Sequence, residues 1–461
     1  MKFFARVLCF ILFISAFCGV CGCKKQNDGG GASGLYDMQI EYENEKIVGS
    51  ISYTFYKNAK ELGENKVCFN LYASAAFKKD AGTSVKCVKL NDEIAEYEFS
   101  GDNDEFLCIF APSGIKPNDK IYIEFETFLS YTNKRLGITE KCVNAAYFYP
   151  VKCVYSGGEY CMRRYCVFGD PFFTDFADYS VNLTVPSVMT VACGFYPSGI
   201  ENESDKTKYN YTAECIKNFT FSFSENYEII TKKWGNRSIN YYYYDEESPE
   251  KTLDLVINAL DFFENKIGEY KYKTLAFAKS PYSSGGMEYS AFFVLGECSD
   301  EKSYSYAAVH ETAHQWFPMV AGTDEYYSAY FDEGLAEFLT ACFFAKTDGV
   351  YGKELEKSNK TLYENYKKNY TALNKPFKQK IKNSLDSYSS LYEYVSCSYY
   401  GGATLFFKIF EAAKEKEFFN SLNKFYKACA MKNSDESCFI NSFGAFNKKA
   451  VQKIFSEMVF E

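Results

Sequence analysis

Apolar and polar residues alternate with period two through the first half of the chain, from about Leu35 to Lys233. The runs are short and rich in β-branched and aromatic residues, and Gly, Asn, Asp and Pro interrupt them; examples are KIVGSISYTFY, KVCFNLYAS, KIYIEFETFL and YSVNLTVP. Such runs are typical of half-buried strands. The pattern predicts an N-terminal antiparallel β-sandwich or saddle domain over residues 35–235, without a convincing helix.

The period changes at Ser248, where Ser-Pro precedes the helically spaced segment KTLDLVINALDFFENKI and Gly268 follows it. Two strand-like segments, TLAFAKS and MEYSAFFVL, lie on either side of the turn PYSSGG. Helical spacing then dominates, and predicts helices over 303–317, 329–346, about 353–372 and several stretches between 400 and 461. Residues 236–461 are therefore predicted to form a mixed α/β domain, which makes the whole chain an α+β multidomain protein.

The first 23 residues predict an export signal rather than part of the fold. Lys2 and Arg6 form a short basic region, and the apolar stretch 7–17 follows it. That stretch is too short to span a membrane as a mature helix, but it has the length of a signal-peptide core. We therefore expect the mature protein to work outside the cytoplasm.

A small residue before a cysteine, as in Gly22-Cys23, resembles the cleavage box of bacterial lipoproteins. This resemblance makes Cys23 the predicted lipidation site, with residues 24–34 as a flexible tether to the bacterial cell membrane. Cys21 is the alternative, although Val20 before it is a poor cleavage residue. A plain secretory signal cut near the same place stays open.

Length, composition and charge indicate a folded protein of two or three domains that does not bind nucleic acid. A chain of 461 residues suits two or three domains, and a hydrophobic content of 47% is enough for real cores. The net charge of −9 offers no basic face for nucleic acid, so we expect no nucleic-acid partner.

Fourteen cysteines follow Cys23, an even number that permits disulfides outside the cytoplasm. Cys153, Cys161 and Cys166 are close enough in sequence to pair locally. No C-x-x-C pair occurs beyond residue 23, which argues against a zinc ribbon or a redox motif.

The chain has only two histidines, and both belong to the segment His310-Glu311-Thr312-Ala313-His314. Positions i and i+4 of a helix share one face, so the two imidazoles can point at one ion while Glu311 lies beside it. Neutral imidazole suits zinc, and a carboxylate beside an activated water suits general-base catalysis. The segment therefore predicts a catalytic zinc centre.

A catalytic zinc takes three protein ligands and keeps a fourth position open. With no histidine left, the third ligand must be a carboxylate or a cysteine. Glu333 is the candidate, separated from His314 by 18 intervening residues and near the start of the next predicted helix. From the residues alone it competes with three others, Asp324, Asp332 and Glu337.

Together these segments resemble the gluzincin aminopeptidases, the family of aminopeptidase N and leukotriene hydrolase. The family pattern H-E-x-x-H, 18 residues and Glu is matched at His310, Glu311, His314 and Glu333. The family's G-[AG]-M-E-N motif has a counterpart in GGMEY at 285–289, and its Y-x-x-G-[AF] motif has one in YYGGA at 399–403. The similarity covers roughly residues 40–460 and implies a thermolysin-like catalytic domain.

The resemblance implies a role for each matched residue. His310, His314 and Glu333 would hold one zinc per chain, and Glu311 would take a proton from the zinc-bound water. Gly285, Gly286, Met287 and Glu288 would bind substrate, with the Glu288 carboxylate pairing with a free α-ammonium. Tyr399 would donate to the oxyanion of the tetrahedral intermediate, with Tyr400 as the alternative. A second amine-binding residue from the β-domain, usual in the family, cannot be placed.

The sequence departs from the family pattern at a few positions. Tyr289 replaces the usual Asn, Pro318-Met319 replaces Gly-Asn, and Tyr330 replaces Trp. None of these changes removes a ligand, so they bear on specificity rather than on hydrolysis. About 60 residues follow Tyr399, so we expect the large C-terminal helical domain of many family members to be missing.

The function that this resemblance implies is a zinc-dependent aminopeptidase, anchored at the cell surface, that acts on peptides with a free N-terminus. Two alternatives stay open. One is a zinc endopeptidase with an open cleft, and the other is a surface binding protein with a decayed site. The retained ligands and base argue against decay.

Overall fold

The computed structural model describes residues 31–76, 82–166, 168–375 and 378–460. The predicted export signal and Cys23 lie outside these residues. The elements of the N-terminal half are β1 (Gly34–Glu43), β2 (Lys46–Phe55), β3 (Lys66–Asn70), α1 (Tyr72–Ala76), β4 (Thr83–Leu90), β5 (Glu93–Ile94), β6 (Tyr97–Ser100), β7 (Phe106–Phe110), β8 (Lys120–Phe128), β9 (Leu136–Ile138), β10 (Val143–Ala145), β11 (Val151–Lys152), β12 (Val154–Ser156), β13 (Glu159–Cys161), β14 (Ala177–Pro186), β15 (Thr190–Cys193), β16 (Pro197–Asn202), β17 (Lys206–Ile216) and β18 (Phe221–Ser224).

These strands form one large sheet, two four-stranded sheets and the two-stranded hairpin β12–β13. The large sheet has the order β16-β17-β14-β1-β2-β8-β4-β5, and all its pairs are antiparallel except β1 with β14. The four-stranded sheets are β15-β18-β10-β9 and β11-β3-β7-β6. Strict alternation of buried and partly exposed residues along β14 reflects the period-two sequence. The predicted fold class is confirmed for this half, and the short helix α1 is an element that the sequence pattern did not indicate.

One disulfide joins two strands of this half. Cys68 on β3 and Cys108 on β7 face each other in register and are bonded. The local pairing predicted among Cys153, Cys161 and Cys166 is wrong, because all three are free thiols. Sequence proximity is a poor guide here, since register between strands brings together cysteines that lie 40 residues apart.

The elements of the second half are β19 (Glu228–Trp234), β20 (Arg237–Tyr243), α2 (Pro249–Lys266), β21 (Thr274–Ser280), β22 (Gly286–Tyr289), β23 (Phe292–Gly296), α3 (Glu301–Ala313), β24 (Ala321–Gly322), α4 (Glu325–Thr347), α5 (Gly349–Ala372), α6 (Leu391–Val395), α7 (Gly402–Ala413), α8 (Glu415–Cys429), β25 (Lys432–Asn433), α9 (Glu436–Asn441) and α10 (Ala445–Met458). A 3₁₀ turn covers Leu385–Ser387, and a π-helical turn covers Ser396–Gly401 between α6 and α7.

A five-stranded sheet with the order β19-β20-β21-β23-β22 begins this half. The domain boundary predicted at 235/236 falls in the turn between its first two strands. The segment MEYSAFFVL was predicted as one strand, which is wrong: it forms the hairpin β22–β23, and Ala291 in its turn has φ +57°. Its residues are nearly all buried and include no Gly or Pro, so the sequence carried no turn signal.

The predicted helices are present, with shifted ends. Helix α2 begins at Pro249 as expected, although the Ser248 side chain makes no capping hydrogen bond. Helix α4 begins at Glu325, four residues before the predicted start, and contains a kink at Ser328. Among the described residues, no helix is both long and apolar enough to cross a membrane.

Ion pairs join the halves of the chain, and two of them meet the start of helix α4. Lys217, just after β17, contacts Glu325 at the start of α4 at 3.3 Å, and both side chains are buried. Arg163, in the loop after β13, contacts Asp324 at 2.7 Å. Because burying unpaired charge is costly, these pairs favour one arrangement of the two halves over others. The arrangement leaves a cavity between them.

Candidate active site

Helix α3 carries both histidines at its buried end. The helix begins after Asp300, whose carboxylate accepts a hydrogen bond from Ser303 N at 2.9 Å and so caps the first turn. Its last turns, from Ala307 to Ala313, are buried. The spacing of four residues brings the Nε2 atoms of His310 and His314 to 3.1 Å from each other, as the sequence predicted.

Glu333 reaches the same point from helix α4. Its Oε2 lies 3.2 Å from His310 Nε2 and 3.4 Å from His314 Nε2. Helix α4 can pass this close because it touches α7 through glycines. A Cβ on Gly334 would lie 2.4 Å from Gly402 Cα, so no larger residue fits there.

The geometry of these three side chains fits a tetrahedral zinc. Ligand bonds of about 2.0–2.2 Å separate the ligand atoms of a tetrahedral zinc by about 3.3–3.5 Å, close to the separations found here. His314 Nδ1 lies 3.0 Å from the carbonyl oxygen of Phe317, and donation to it leaves Nε2 with a free lone pair toward the other ligands. His310 Nδ1 lies 3.5 Å from Glu337 Oε1 on the opposite side of its ring.

The three competing carboxylates lie elsewhere. Asp332 Oδ1 is 3.0 Å from His314 Nδ1, the ring nitrogen that faces away from the predicted metal position. Glu337 accepts hydrogen bonds from Tyr306 and Asn359, and Asp324 pairs with Arg163. The structure therefore brings Glu333, and none of the three, to both Nε2 atoms.

The ionisable groups of the site are buried and shift one another's pKa values. Burial alone would raise the pKa of Glu333, but hydrogen bonds with His310 and His314 hold it well below its ordinary value. Burial lowers the pKa of His314, yet the carboxylates of Glu288 and Asp332 raise it by more. Carboxylates outnumber cationic side chains here, an excess that a divalent cation would offset.

Glu311 points across the cavity floor toward strand β22. Burial raises the pKa of its carboxyl to about 8, although the His314 ring acts in the opposite direction. A Cβ on Gly286 would lie 2.5 Å from Glu311 Oε1, so the glycine is needed for this close approach. The motif of 285–289 and the motif of 310–314 therefore meet in space.

Glu288 lies on β22, which is the last strand of its sheet among the described residues. Its side chain is 3% exposed, and its Oε1 has no hydrogen-bond partner in the part of the chain that the structure describes. Ligand atoms of Glu288, Glu311 and His314 lie within 4.8 Å of one another. Burial raises the pKa of Glu288 well above its ordinary value, opposed mainly by His314. An unpaired buried carboxylate beside the predicted metal is suited to a cationic ligand.

Tyr399 belongs to the π-helical turn before α7, and its hydroxyl donates to Glu333 Oε1 at 2.6 Å. Its ring stacks on that of His310, with 6.1 Å between centroids. The neighbouring Tyr400 is half-buried and does not line the cavity, whereas Tyr394 does. Of the two residues that the sequence left open, Tyr399 is the one beside the predicted metal.

One cavity of about 780 Å³ between the two halves is lined by the predicted ligands, the predicted base, Glu288 and Tyr399. Gly285, Gly286 and Met287 line it next to Glu288, as predicted. Residues from the β-domain form the facing wall, and the sequence pattern gave no indication of them. They include Tyr72, Arg135, Tyr147, Asp170 and Phe172. They come from a short helix, a strand end and two loops, and share no motif or spacing.

Comparison with known proteins agrees with this geometry. Residues 251–458 match the family model described as Peptidase family M1 domain. Among curated proteins, none matches the sequence. The matched range 251–458 contains the zinc-ligand motifs and Tyr399.

Solved structures share the fold over nearly the whole chain. An M1 zinc metallopeptidase from Deinococcus radiodurans has a TM-score of 0.65 at 13% identity, covering 92% of this chain and 93% of that one. A mutant of an M1 zinc metallopeptidase from the same organism, bound to a Tyr-Ser-Ala substrate, has a TM-score of 0.64 at 14% identity, with coverages of 92% and 94%. A two-domain M1 zinc metallopeptidase mutant bound to L-arginine has the same TM-score, identity and coverages. The two-domain α+β fold class and the family resemblance predicted from the sequence are confirmed.

Proposed function

We propose that the chain, whose residues 251–458 match the M1 peptidase domain, is a zinc metallopeptidase that acts as an aminopeptidase on short peptides at the cell surface. The observation that carries the proposal is Glu288. A buried carboxylate with an unpaired oxygen lies at the cavity wall, within 4.8 Å of the base and of a zinc ligand. An α-ammonium is the group that such a carboxylate would pair with, and internal peptide bonds have none.

His310, His314 and Glu333 would hold the zinc, because their ligand atoms converge on one point. When bound, zinc polarises the peptide carbonyl and makes water acidic enough to lose a proton near neutral pH. Glu311 accepts that proton and delivers it to the leaving amine. Its position over Gly286 places the carboxylate beside the strand along which the substrate would lie.

Tyr399 stabilises the negative charge that develops on the carbonyl oxygen. Its hydroxyl, which donates to Glu333 in this structure, can turn its proton toward that oxygen once substrate is bound. The backbone of β22 positions the substrate, since an edge strand offers unpaired N–H and C=O groups to an extended peptide. Glu288 on the same strand would then fix the N-terminus and set the cleaved bond one residue further along.

The test compares one peptide series with free and acetylated N-termini, from two to about ten residues, on the 24–461 protein. Loss of the charged partner should cost at least about 2 kcal/mol, or roughly 30-fold in kcat/KM. Glu288→Ala should abolish most of this difference, while Glu436→Ala, far from the cavity, is the matched control. Equal cleavage of both series at internal bonds would replace the aminopeptidase with an endopeptidase.

Anchoring at the cell surface through Cys23 completes the proposal and is supported by the sequence alone. Changing Cys23 to Ser should move the protein from the membrane fraction to the soluble fraction of its host. Cys21→Ser is the matched control and should leave the protein membrane-bound. The reverse result would assign the anchor to Cys21.

A further inference from the structure

The β-domain contributes an aromatic wall to the cavity, formed by Tyr72, Tyr147 and Phe172. The rings of Tyr147 and Phe172 stack with 3.9 Å between centroids. The ring of Tyr72 meets them edge-on, at 5.5 Å from Tyr147 and 4.8 Å from Phe172. Each residue is at most 3% exposed, so the wall is a packed surface whose shape is fixed by its own contacts.

The hydroxyl groups of the wall are used away from the cavity. Tyr72 accepts a hydrogen bond from Asn70 at 3.0 Å and donates to Pro171 O at 3.3 Å. Tyr147 accepts one from Asn218 at 3.0 Å. Asn70, Pro171 and Asn218 do not line the cavity. The wall therefore offers mainly ring surface to a ligand.

The wall lines the same cavity as Glu288, the residue that would hold the N-terminus. The ring of Tyr147 also lies 6.3 Å from that of Tyr289, a neighbour of Glu288 that does not line the cavity. Tyr147 has φ +52°, a conformation that costs a non-glycine residue energy. The fold tolerates this cost at a residue of the aromatic wall.

The ion pair of Arg135 and Asp170 borders the aromatic wall beside Phe172. The Arg135 guanidinium lies 4.8 Å above the Phe172 ring, pairs with Asp170 and donates to Gly169 O at 3.3 Å. Asp170 is the one cavity carboxylate of the β-domain among the described residues. Because Arg135 already pairs with it, a lysine or arginine side chain of a substrate would find no unpaired carboxylate on this wall.

We infer that the site selects peptides whose first residue is aromatic or large and apolar, and that the Arg135–Asp170 pair disfavours a basic first residue. The inference rests on the proposed aminopeptidase function. Apolar contact of this kind discriminates by about tenfold or more between side chains that differ by several carbons. Aromatic first residues gain further from edge-on or stacked contact with the rings.

The experiment measures kcat/KM for fluorogenic amides of Phe, Tyr, Leu, Ala, Lys and Arg. Phe, Tyr and Leu should exceed both Ala and Lys by at least about tenfold. Arg135→Met should raise Lys and Arg relative to Phe, because Asp170 loses its partner. The double variant Arg135→Met/Asp170→Asn should lose that gain. Ala or Lys amides cleaved as well as Phe by the wild type would overturn the inference.

A binding measurement separates this inference from the proposed function. Zinc-loaded Glu311→Gln protein should bind free L-Phe at least about tenfold more tightly than L-Lys in calorimetry. Phe172→Ala should reduce that ratio, with thermal unfolding and zinc content as controls for folding. If no free-amine substrate is cleaved, the aminopeptidase fails, and the L-Phe to L-Lys ratio still decides the inference. Equal affinities would overturn it.

Discussion

The two walls of the cavity are built in opposite ways. The catalytic wall is formed by regular elements: α3, α4 and the turn before α7 carry the residues that we propose as ligands, base and oxyanion donor. The β-domain wall comes from a short helix, a strand end and loops, and holds aromatic rings, one ion pair and the side chain of Lys134. The first wall concentrates buried carboxylates and both histidines around one point, and the second consists mainly of ring surface with few charged groups.

The difference assigns bond cleavage to one wall and the selection of substrate side chains to the other. Bond cleavage needs groups at fixed distances, which helices in backbone contact provide. Selection among side chains needs a surface of suitable shape, and loops can supply it in many ways. Changes on the catalytic wall should therefore act mainly on zinc binding or kcat, whereas changes on the β-domain wall should act mainly on stability and on the choice of substrate.

The largest effect should follow from Glu333→Ala, which removes one of three converging ligands. We expect most of the zinc and all measurable activity to be lost, as determined by elemental analysis beside a peptidase assay. Asp332→Ala is the matched control, since it contacts only the outer nitrogen of His314; it should bind zinc about 10–100-fold more weakly but still load fully in excess metal. Full zinc in Glu333→Ala protein would move the third ligand elsewhere.

Glu311→Gln should keep its zinc and its fold but lose at least about 10²–10⁴-fold in kcat, because an amide cannot accept the proton from water. Elemental analysis and thermal unfolding verify the metal and the fold before kinetics are measured. Near-normal turnover in a zinc-loaded variant would contradict the assignment of the base.

Tyr399→Phe should lower kcat by about 10²–10³-fold, with a smaller change in KM, since one oxyanion donor is removed. Tyr400→Phe removes the same hydroxyl group from a residue outside the cavity, so its kcat should stay within about threefold of wild type. If the large loss appears in Tyr400→Phe instead, the oxyanion donor is the neighbouring residue.

Gly286→Ala tests the contact between the two motifs. Its new Cβ would lie within 2.5 Å of Glu311 Oε1 and must displace that carboxylate. A displacement near 1 Å costs roughly 10²-fold in rate, so kcat should fall by about one to two powers of ten at unchanged zinc content. Gly444→Ala, where a Cβ meets nothing closer than 3.6 Å, is the matched control. Unchanged kcat in Gly286→Ala would show that Glu311 acts from a different position.

The smallest effect should come from the β-domain wall. Tyr147→Phe keeps the ring but leaves the Asn218 amide without its acceptor, which should cost about 1–3 kcal/mol of unfolding free energy in urea. Because no reacting group is touched, kcat should stay within about threefold of wild type. A loss of kcat comparable to that of Tyr399→Phe would end the distinction between the two walls.

The histidines of the catalytic wall could be predicted from the sequence because their positions follow helical spacing. His310 and His314 are four residues apart, and helix geometry alone brings their rings together. Glu333 was one of several carboxylates by residues alone, and only the family resemblance singled it out. The structure shows why the choice was needed: Asp332 and Glu337 also contact the histidines, but at the outer ring nitrogens.

The β-domain wall could not be predicted, because tertiary contacts alone bring its residues together. Arg135 and Asp170 are 35 residues apart, and neither lies in a pattern that indicates a cavity. The β22–β23 turn was missed for a related reason. Burial on both faces hides the period of a strand, and Ser290-Ala291 contains no Gly, Pro, Asn or Asp to indicate a turn.

Where α4 and α7 touch at Gly334 and Gly402, no side chain separates the two backbones. Helices in such contact cannot slide apart without opening a void in a tightly packed interior. Glu333 and the turn that carries Tyr399 therefore move as parts of one body, whereas the aromatic wall belongs to the other domain. Thermal motion that widens the cavity changes the room available to a side chain and preserves the spacing between ligand and oxyanion donor. Peptides of different bulk can thus be accommodated without disturbing the groups that break the bond.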